Sequence, residues 1–119
     1  MTNFIEIKTT FSDSKKGQDC LELIIKTILS QELSSCIQSS KIESYYIWPK
    51  NSQNINKEQE ILVTIKAEKE NYQQIEEIIL QNHEYELPQI IFSRIDGGYE
   101  EYLQWLQQKA QSTEKTLKN

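Results

Sequence analysis

The chain has 119 residues and a formal net charge of −5, from 13 basic and 18 acidic side chains, which suits one domain with a core of its own. An acidic chain without a basic cluster is unsuited to nucleic acid, no apolar run is long enough for a membrane span, and two cysteines are too few for a disulfide framework. We therefore expect a reduced, cytoplasmic protein that binds neither nucleic acid nor membranes.

The first half of the chain predicts a strand, a helix and a second strand. Residues 4–10 alternate apolar and polar side chains, as a half-buried strand does, and the polar segment 12–14 suits a helix N-terminus. The helix that follows ends near residues 31–33 and has one apolar stripe: Leu21, Ile24, Ile25, Ile28 and Leu29. Residues 35–48 lack Gly and Pro and end in aromatic side chains, which indicates an unusually long strand.

The second half begins with a polar hairpin loop at residues 49–54. A return strand is predicted over residues 58–66 and a helix over residues 68–81. The apolar side chains of that helix are Tyr72, Ile75, Ile78 and Ile79. Because proline disfavours the helical conformation of the residue before it, Pro88 indicates that the fourth strand, residues 90–95, begins just after it.

A turn at residues 96–98 leads to a third helix, whose stripe is Tyr99, Tyr102, Leu103, Leu106 and Ala110. The order of elements predicts an α+β protein with a ferredoxin-like β-α-β-β-α-β antiparallel sheet and an additional C-terminal helix. We expect one domain over residues 1–112, with a polar tail at residues 113–119. Its core should centre on Ile24, Ile28, Val63, Ile65, Ile75 and Ile79.

The stretch at residues 83–90 concentrates reactive side chains between the second helix and the fourth strand. It holds the only histidine of the chain, His83, followed by Glu84, Tyr85 and Glu86. Loops held by a rigid scaffold often carry binding or catalytic groups. The alternative is a turn in which Tyr85 packs inward and the charges are solvated.

Several short motifs, in order and at nearly matching spacing, resemble the CutA divalent-cation tolerance family over residues 4–109. They are Thr9-Thr10-Phe11, Leu33-Ser34-Ser35-Cys36, the Ser44, Tyr46 and Trp48 spacing, Glu60 with Lys66, His83-Glu84-Tyr85-Glu86-Leu87-Pro88-Gln89-Ile90, and Tyr102-Leu103-Gln104-Trp105. Two departures stand out, because the family usually has proline where this chain has Ser12 and Glu84. A second cysteine that some members carry, near Thr9, is also absent, and Cys20 does not align with it.

The resemblance implies a divalent metal site, with copper as one candidate ion, near Cys36 and His83. A thiolate and an imidazole suit copper or zinc, and Glu60 and Glu86 could add carboxylate ligands. The spacing does not show that Cys36 and His83 meet. The alternative is a small buried thiol and a hydrogen-bonded histidine.

The resemblance also implies a homotrimer. Tyr46, Trp48, Tyr85 and Trp105 could line a subunit interface or a pocket, and the alternative is that they pack in the domain core. Trp105 lies off the stripe of its helix, which favours an interface over the core. The long second strand leaves an edge rich in aromatics, which suits strand addition between subunits.

Two functional classes stay open. The first, implied by the resemblance, is a trimer that binds divalent metal ions and contributes to the response to them. The second is a trimeric scaffold or signalling module that binds a small ligand or partner in clefts between subunits. No catalytic motif or cofactor fingerprint is visible, so we do not expect an enzyme.

Overall fold

A computed structural model describes residues 3–107 and has the predicted α+β, ferredoxin-like architecture. One antiparallel sheet has the strand order β2-β3-β1-β4. Its strands are β1 Phe4–Ser12, β2 Cys36–Ile47, β3 Ile55–Glu68 and β4 Ile90–Ile95. The helices are α1 Lys15–Ser30, α2 Tyr72–Asn82 and α3 Glu100–Leu106. In the part of the chain described, no helix has the length and apolar character needed to cross a membrane.

The core lies between one face of the sheet and the helices α1 and α2. In β1 the alternate side chains Ile5, Ile7 and Phe11 are fully buried, as the predicted alternation requires. The six predicted core residues are confirmed, because none of them has any exposed surface: Ile24, Ile28, Val63, Ile65, Ile75 and Ile79.

Helix α1 begins where the sequence predicts. Ser14 is its N-cap and accepts a hydrogen bond from the backbone N–H of Gly17 at 3.1 Å. The predicted stripe is too wide at its end, because Leu29 is 41% exposed while Ile25 packs against the core. Leu29 lies in the last turn of a helix that ends at Ser30, one residue earlier than expected, and the last buried residue of that helix is Ile28.

Strand β3 is longer than predicted at both ends. Its pairing with β1 ends at the pair Ser12 and Glu60, whereas its pairing with β2 continues to the pair Ile47 and Ile55. Residues 43–59 therefore form a two-stranded extension beyond β1, which we call the hairpin arm. The local sequence did not predict this extension of β3, because Asn56 and Lys57 are polar. Only their pairing with β2 makes them part of a strand.

The remaining helix boundaries differ modestly from the prediction. Glu68 still belongs to β3, and a turn of 3₁₀ helix, Lys69–Asn71, precedes α2. In α3, Leu106 is buried, but Tyr99 is 70% exposed because it precedes the first turn as the N-cap. The predicted stripe position Ala110 and the predicted tail at residues 113–119 lie outside the described residues.

Candidate functional site

The loop between α2 and β4 crosses the end of β1, and His83 anchors it there. His83 has an extended backbone that ends α2. Its Nε2 lies 2.8 Å from the carbonyl oxygen of Thr10, and its Nδ1 lies 3.0 Å from the backbone nitrogen of Tyr85. The imidazole also stacks on Phe11, with ring centroids 4.2 Å apart and planes at 10°. His83 is therefore held from both edges and from one face.

The hydrogen bonds fix the protonation state of this ring. The backbone N–H of Tyr85 can only donate, so Nδ1 accepts, and Nε2 carries the proton that is donated to the Thr10 carbonyl. Burial lowers the pKa of His83 below its ordinary value, although the Thr10 carbonyl opposes the shift. His83 is accordingly a neutral imidazole near pH 7.

Tyr85 joins the loop to the sheet through a buried carboxylate. Its phenol donates a hydrogen bond of 2.8 Å to Oε2 of Glu60, which is 9% exposed. Burial, the hydrogen bond to Glu60 and the nearby charges of Glu84 and Glu58 all raise the pKa of Tyr85 far above its ordinary value. The phenol therefore stays protonated and remains a donor. Both alternatives for this stretch keep some support, because Tyr85 packs inward and Glu86 is exposed, while Glu84 accepts a hydrogen bond from Ser12.

The predicted site does not include three residues of this cluster, namely Ser12, Ser14 and Gly17. Ser12 donates a hydrogen bond to Oε1 of Glu84, and the hydroxyl oxygens of Ser12 and Ser14 are 2.6 Å apart. Since Gly17 donates to Ser14, a chain of hydrogen bonds leads from the start of α1 to the loop of His83. Gly17 lies so close to this chain that a methyl group on it would meet Ser12 and Glu84. The sequence carries one signal for the contact between Ser12 and Glu84, because both residues stand where the family usually has proline.

Cys36 lies elsewhere on the sheet. It pairs across β2 and β3 with Lys66, whereas Thr10, which holds His83, pairs with Leu62. Four residues along a strand span about 13 Å, and the six residues from Lys66 to Glu60 span about 20 Å. The structure therefore does not bring Cys36 together with His83 or Glu60 within one chain.

Two of the four predicted metal ligands, His83 and Glu60, both contact Tyr85, but the full set is not brought together. Glu60 accepts from Tyr85, His83 is engaged at both nitrogens, Glu86 is exposed on the loop, and Cys36 lies on the edge strand β2. Among residues 3–107, no group of three or more His, Cys, Asp or Glu side chains is arranged to hold a metal ion. The prediction that these residues bind metal stays a prediction, and one chain alone does not assemble the set.

The aromatic residues predicted at an interface are largely exposed, apart from Tyr85. Tyr46 and Trp48, in the hairpin arm, are 41% and 58% exposed. The phenol of Tyr46 has a raised pKa because it bonds to Glu58. Trp105 is 48% exposed and stacks against Tyr102, whose hydroxyl accepts from Lys66 at 3.1 Å. These exposures are those of a single chain, and they leave the three residues accessible to a partner.

Comparison with known proteins places this geometry in one family. Residues 6–109 match the family described as CutA1 divalent ion tolerance protein. The chain is 28% identical over 102 residues to the divalent-cation tolerance protein CutA of Pyrococcus horikoshii, which covers 86% of this chain and 93% of the relative.

Two solved structures extend the match to the fold. The crystal structure of the stable protein CutA1 from the psychrotrophic bacterium Shewanella sp. SIB1 superposes with a TM-score of 0.75 at 32% identity, covering 87% of this chain and 91% of the other. CutA1 from Oryza sativa gives 0.75 at 28% identity, covering 87% and 90%. The family match spans most of the chain, and both solved structures superpose on its fold. The chain therefore belongs to the CutA1 family of divalent ion tolerance proteins.

Proposed function

We propose that this protein is a cytoplasmic, non-enzymatic homotrimer that binds divalent metal ions, copper among them, and contributes to the response to those ions. The hairpin arm is the observation that supports the trimer. Its apolar side chains are largely exposed in the single chain: Tyr45 64%, Ile47 55%, Trp48 58% and Ile55 75%. A two-stranded hairpin is marginal in water by itself, and a large exposed apolar patch marks an interaction surface.

A second copy of the chain is the occupant that suits this surface. The arm extends β2, which is an edge strand of the sheet, and the opposite edge is the short strand β4. Edges of this kind favour pairing with another chain, and closed symmetry covers all copies of a surface at once. Three copies around one axis would cover the hairpin arm of every copy, and a trimer is what the resemblance to the family implies.

Metal binding in this proposal requires ligands from more than one chain. Cys36 lies on β2, next to the neighbouring chain in an assembly built on that edge, and its thiolate suits copper or zinc. No group of three ligands exists within residues 3–107 of one chain. The remaining ligands would therefore come from side chains that assembly brings near Cys36.

Calorimetric titration of Zn(II) and Cu(II) into the intact protein tests the metal proposal. Cys36→Ser should weaken binding at least tenfold, since one ligand of a small set is lost, and binding should also weaken as the pH falls because the thiol must lose its proton. Cys20→Ser is the matched control, because Cys20 lies on α1 against the core. Equal metal affinity in wild type and Cys36→Ser would place the site elsewhere.

The second functional class, a trimer that binds a small ligand in its clefts, is favoured by the cluster around Tyr85. The carboxylates of Glu58, Glu60 and Glu84 all act electrostatically on the Tyr85 phenol. Such a site repels a polyphosphate and attracts a cation. In the same calorimeter, heat from spermidine without heat from metal ions would favour this class, and ATP serves as the anionic control.

A further inference from the structure

His83 uses both of its ring nitrogens within the chain. Nε2–H donates to the Thr10 carbonyl at 2.8 Å, and the lone pair of Nδ1 accepts the backbone N–H of Tyr85 at 3.0 Å. Both contacts are part-buried. Metal coordination requires a ring nitrogen whose lone pair is available.

The hydrogen bond from Nε2 to Thr10, taken alone, would be compatible with His83 as a metal ligand. A metal-binding histidine commonly donates its second ring N–H to a carbonyl, which orients the ring, and the bond to Thr10 has that form. The nitrogen that would then face the metal is Nδ1. In this chain Nδ1 faces the Tyr85 amide, so binding a metal there would leave a part-buried N–H without its partner.

Rotation of the ring does not release a nitrogen either. The imidazole lies flat on Phe11, which is fully buried, with centroids 4.2 Å apart and an angle of 10° between planes. Turning the ring to face solvent would break the stacking and both hydrogen bonds together. The histidine that the resemblance suggests as a ligand therefore does not fit that role in this chain.

We propose that His83 is a positioning residue that sets the Tyr85–Glu60 pair, and that it does not bind the metal ion of the proposed function. His83 fixes the backbone of Tyr85 through Nδ1 and ties this loop to β1 through Nε2. The Tyr85 ring lies 5.0 Å from the imidazole and its phenol reaches Glu60 at 2.8 Å. The groups that His83 positions are therefore the phenol of Tyr85 and, through it, the carboxylate of Glu60.

Nitrogen NMR tests this assignment directly, because the chain has a single histidine. In uniformly ¹⁵N-labelled protein at pH 7, His83 should show a protonated Nε2 and an unprotonated Nδ1. A scalar coupling across the hydrogen bond should join Nδ1 to the amide nitrogen of Tyr85. Protonated Nδ1, or a resolved Tyr85 amide without the coupling, overturns the proposal.

Adding one equivalent of Zn(II) per chain separates this proposal from the proposed metal function. The proposal predicts that both ring ¹⁵N shifts stay unchanged, whether or not calorimetry detects binding. A large shift of either nitrogen on adding zinc overturns it. If calorimetry detects no zinc at all, the metal function fails while the tautomer and the coupling still decide the role of His83.

Variants provide the second test. His83→Phe keeps an aromatic ring on Phe11 and removes both hydrogen bonds, so the Tyr85 amide should exchange with solvent at least about tenfold faster, while the core amide of Ile75 is unchanged. Glu86→Gln, which alters an exposed side chain directly after Tyr85, is the control and should leave both rates as in wild type. Equal protection of Tyr85 in His83→Phe and wild type would contradict the positioning role.

Discussion

Gly17→Ala should destabilise the protein, although replacing glycine by alanine usually stabilises a helix. The reason is the close packing of Ser12 and Glu84 against Gly17. Within a helix, alanine is favoured over glycine by up to about 1 kcal/mol. Here a methyl group at Gly17 would lie 2.5 Å from both Oε2 of Glu84 and Oγ of Ser12, and closer still to the carbonyl oxygen of Ser12. Overpacking of this kind costs about 1–3 kcal/mol, and a backbone carbonyl yields less readily than a flexible side chain.

We therefore expect Gly17→Ala to lower the free energy of unfolding by about 1–2 kcal/mol. Equilibrium urea denaturation at a fixed protein concentration measures the change. Lys16→Ala, an exposed neighbour on the same helix turn, should stay within about 0.5 kcal/mol of wild type. When Glu84 is already alanine, adding Gly17→Ala should still lower the free energy of unfolding, but by less than it does in wild type. Part of the loss remains because the added methyl group still meets the Ser12 carbonyl.

A Gly17→Ala variant as stable as wild type, or more stable, would refute the reasoning. It would mean that α1 and the Ser12 backbone are not in close contact. The chain of hydrogen bonds from Ser14 through Ser12 to Glu84 would then lose its geometric basis.

Three further predictions concern the core, the hairpin arm and the pH. Ile28→Ala should cost about 2–5 kcal/mol in urea denaturation, because Ile28 is fully buried, and a loss under about 0.5 kcal/mol would mean that the face of α1 is misassigned. In light scattering, the Trp48→Ala assembly should dissociate at a higher protein concentration than the wild-type assembly. An equally tight assembly would show that Trp48 is no anchor. Because the folded-state pKa of His83 is lowered, its contribution to stability is present above about pH 6.5 and is lost as the pH falls. His83→Gln should remove that part of the pH dependence, and an identical profile for the two proteins would contradict it.

Much of the fold is predictable from local periodicity. The alternation in β1 and the stripe of α1 identify the buried residues, and Pro88 locates the start of β4. The ends of elements are less predictable, because distant pairing decides them. Residues 55–57 join β3 only because β2 continues to Ile47 and pairs with Ile55.

The site itself is less accessible to sequence reasoning. The residues that hold it are far apart in the chain, since His83 bonds to Thr10 and Glu84 to Ser12. Periodicity carries no information about contacts between residues more than 70 positions apart. The resemblance supplied the one available signal, because Ser12 and Glu84 both replace an expected proline and the structure joins them by a hydrogen bond.

The mass of the protein in solution tests the proposed trimer most directly, because the proposed burial of the hairpin arm and the proposed shared metal site both depend on assembly with other copies of the chain. One chain has a mass of 14.1 kDa, so the proposal predicts about 42 kDa by light scattering coupled to size-exclusion chromatography. This mass should persist over at least a hundredfold dilution. A mass of 14.1 kDa at every concentration would contradict the account.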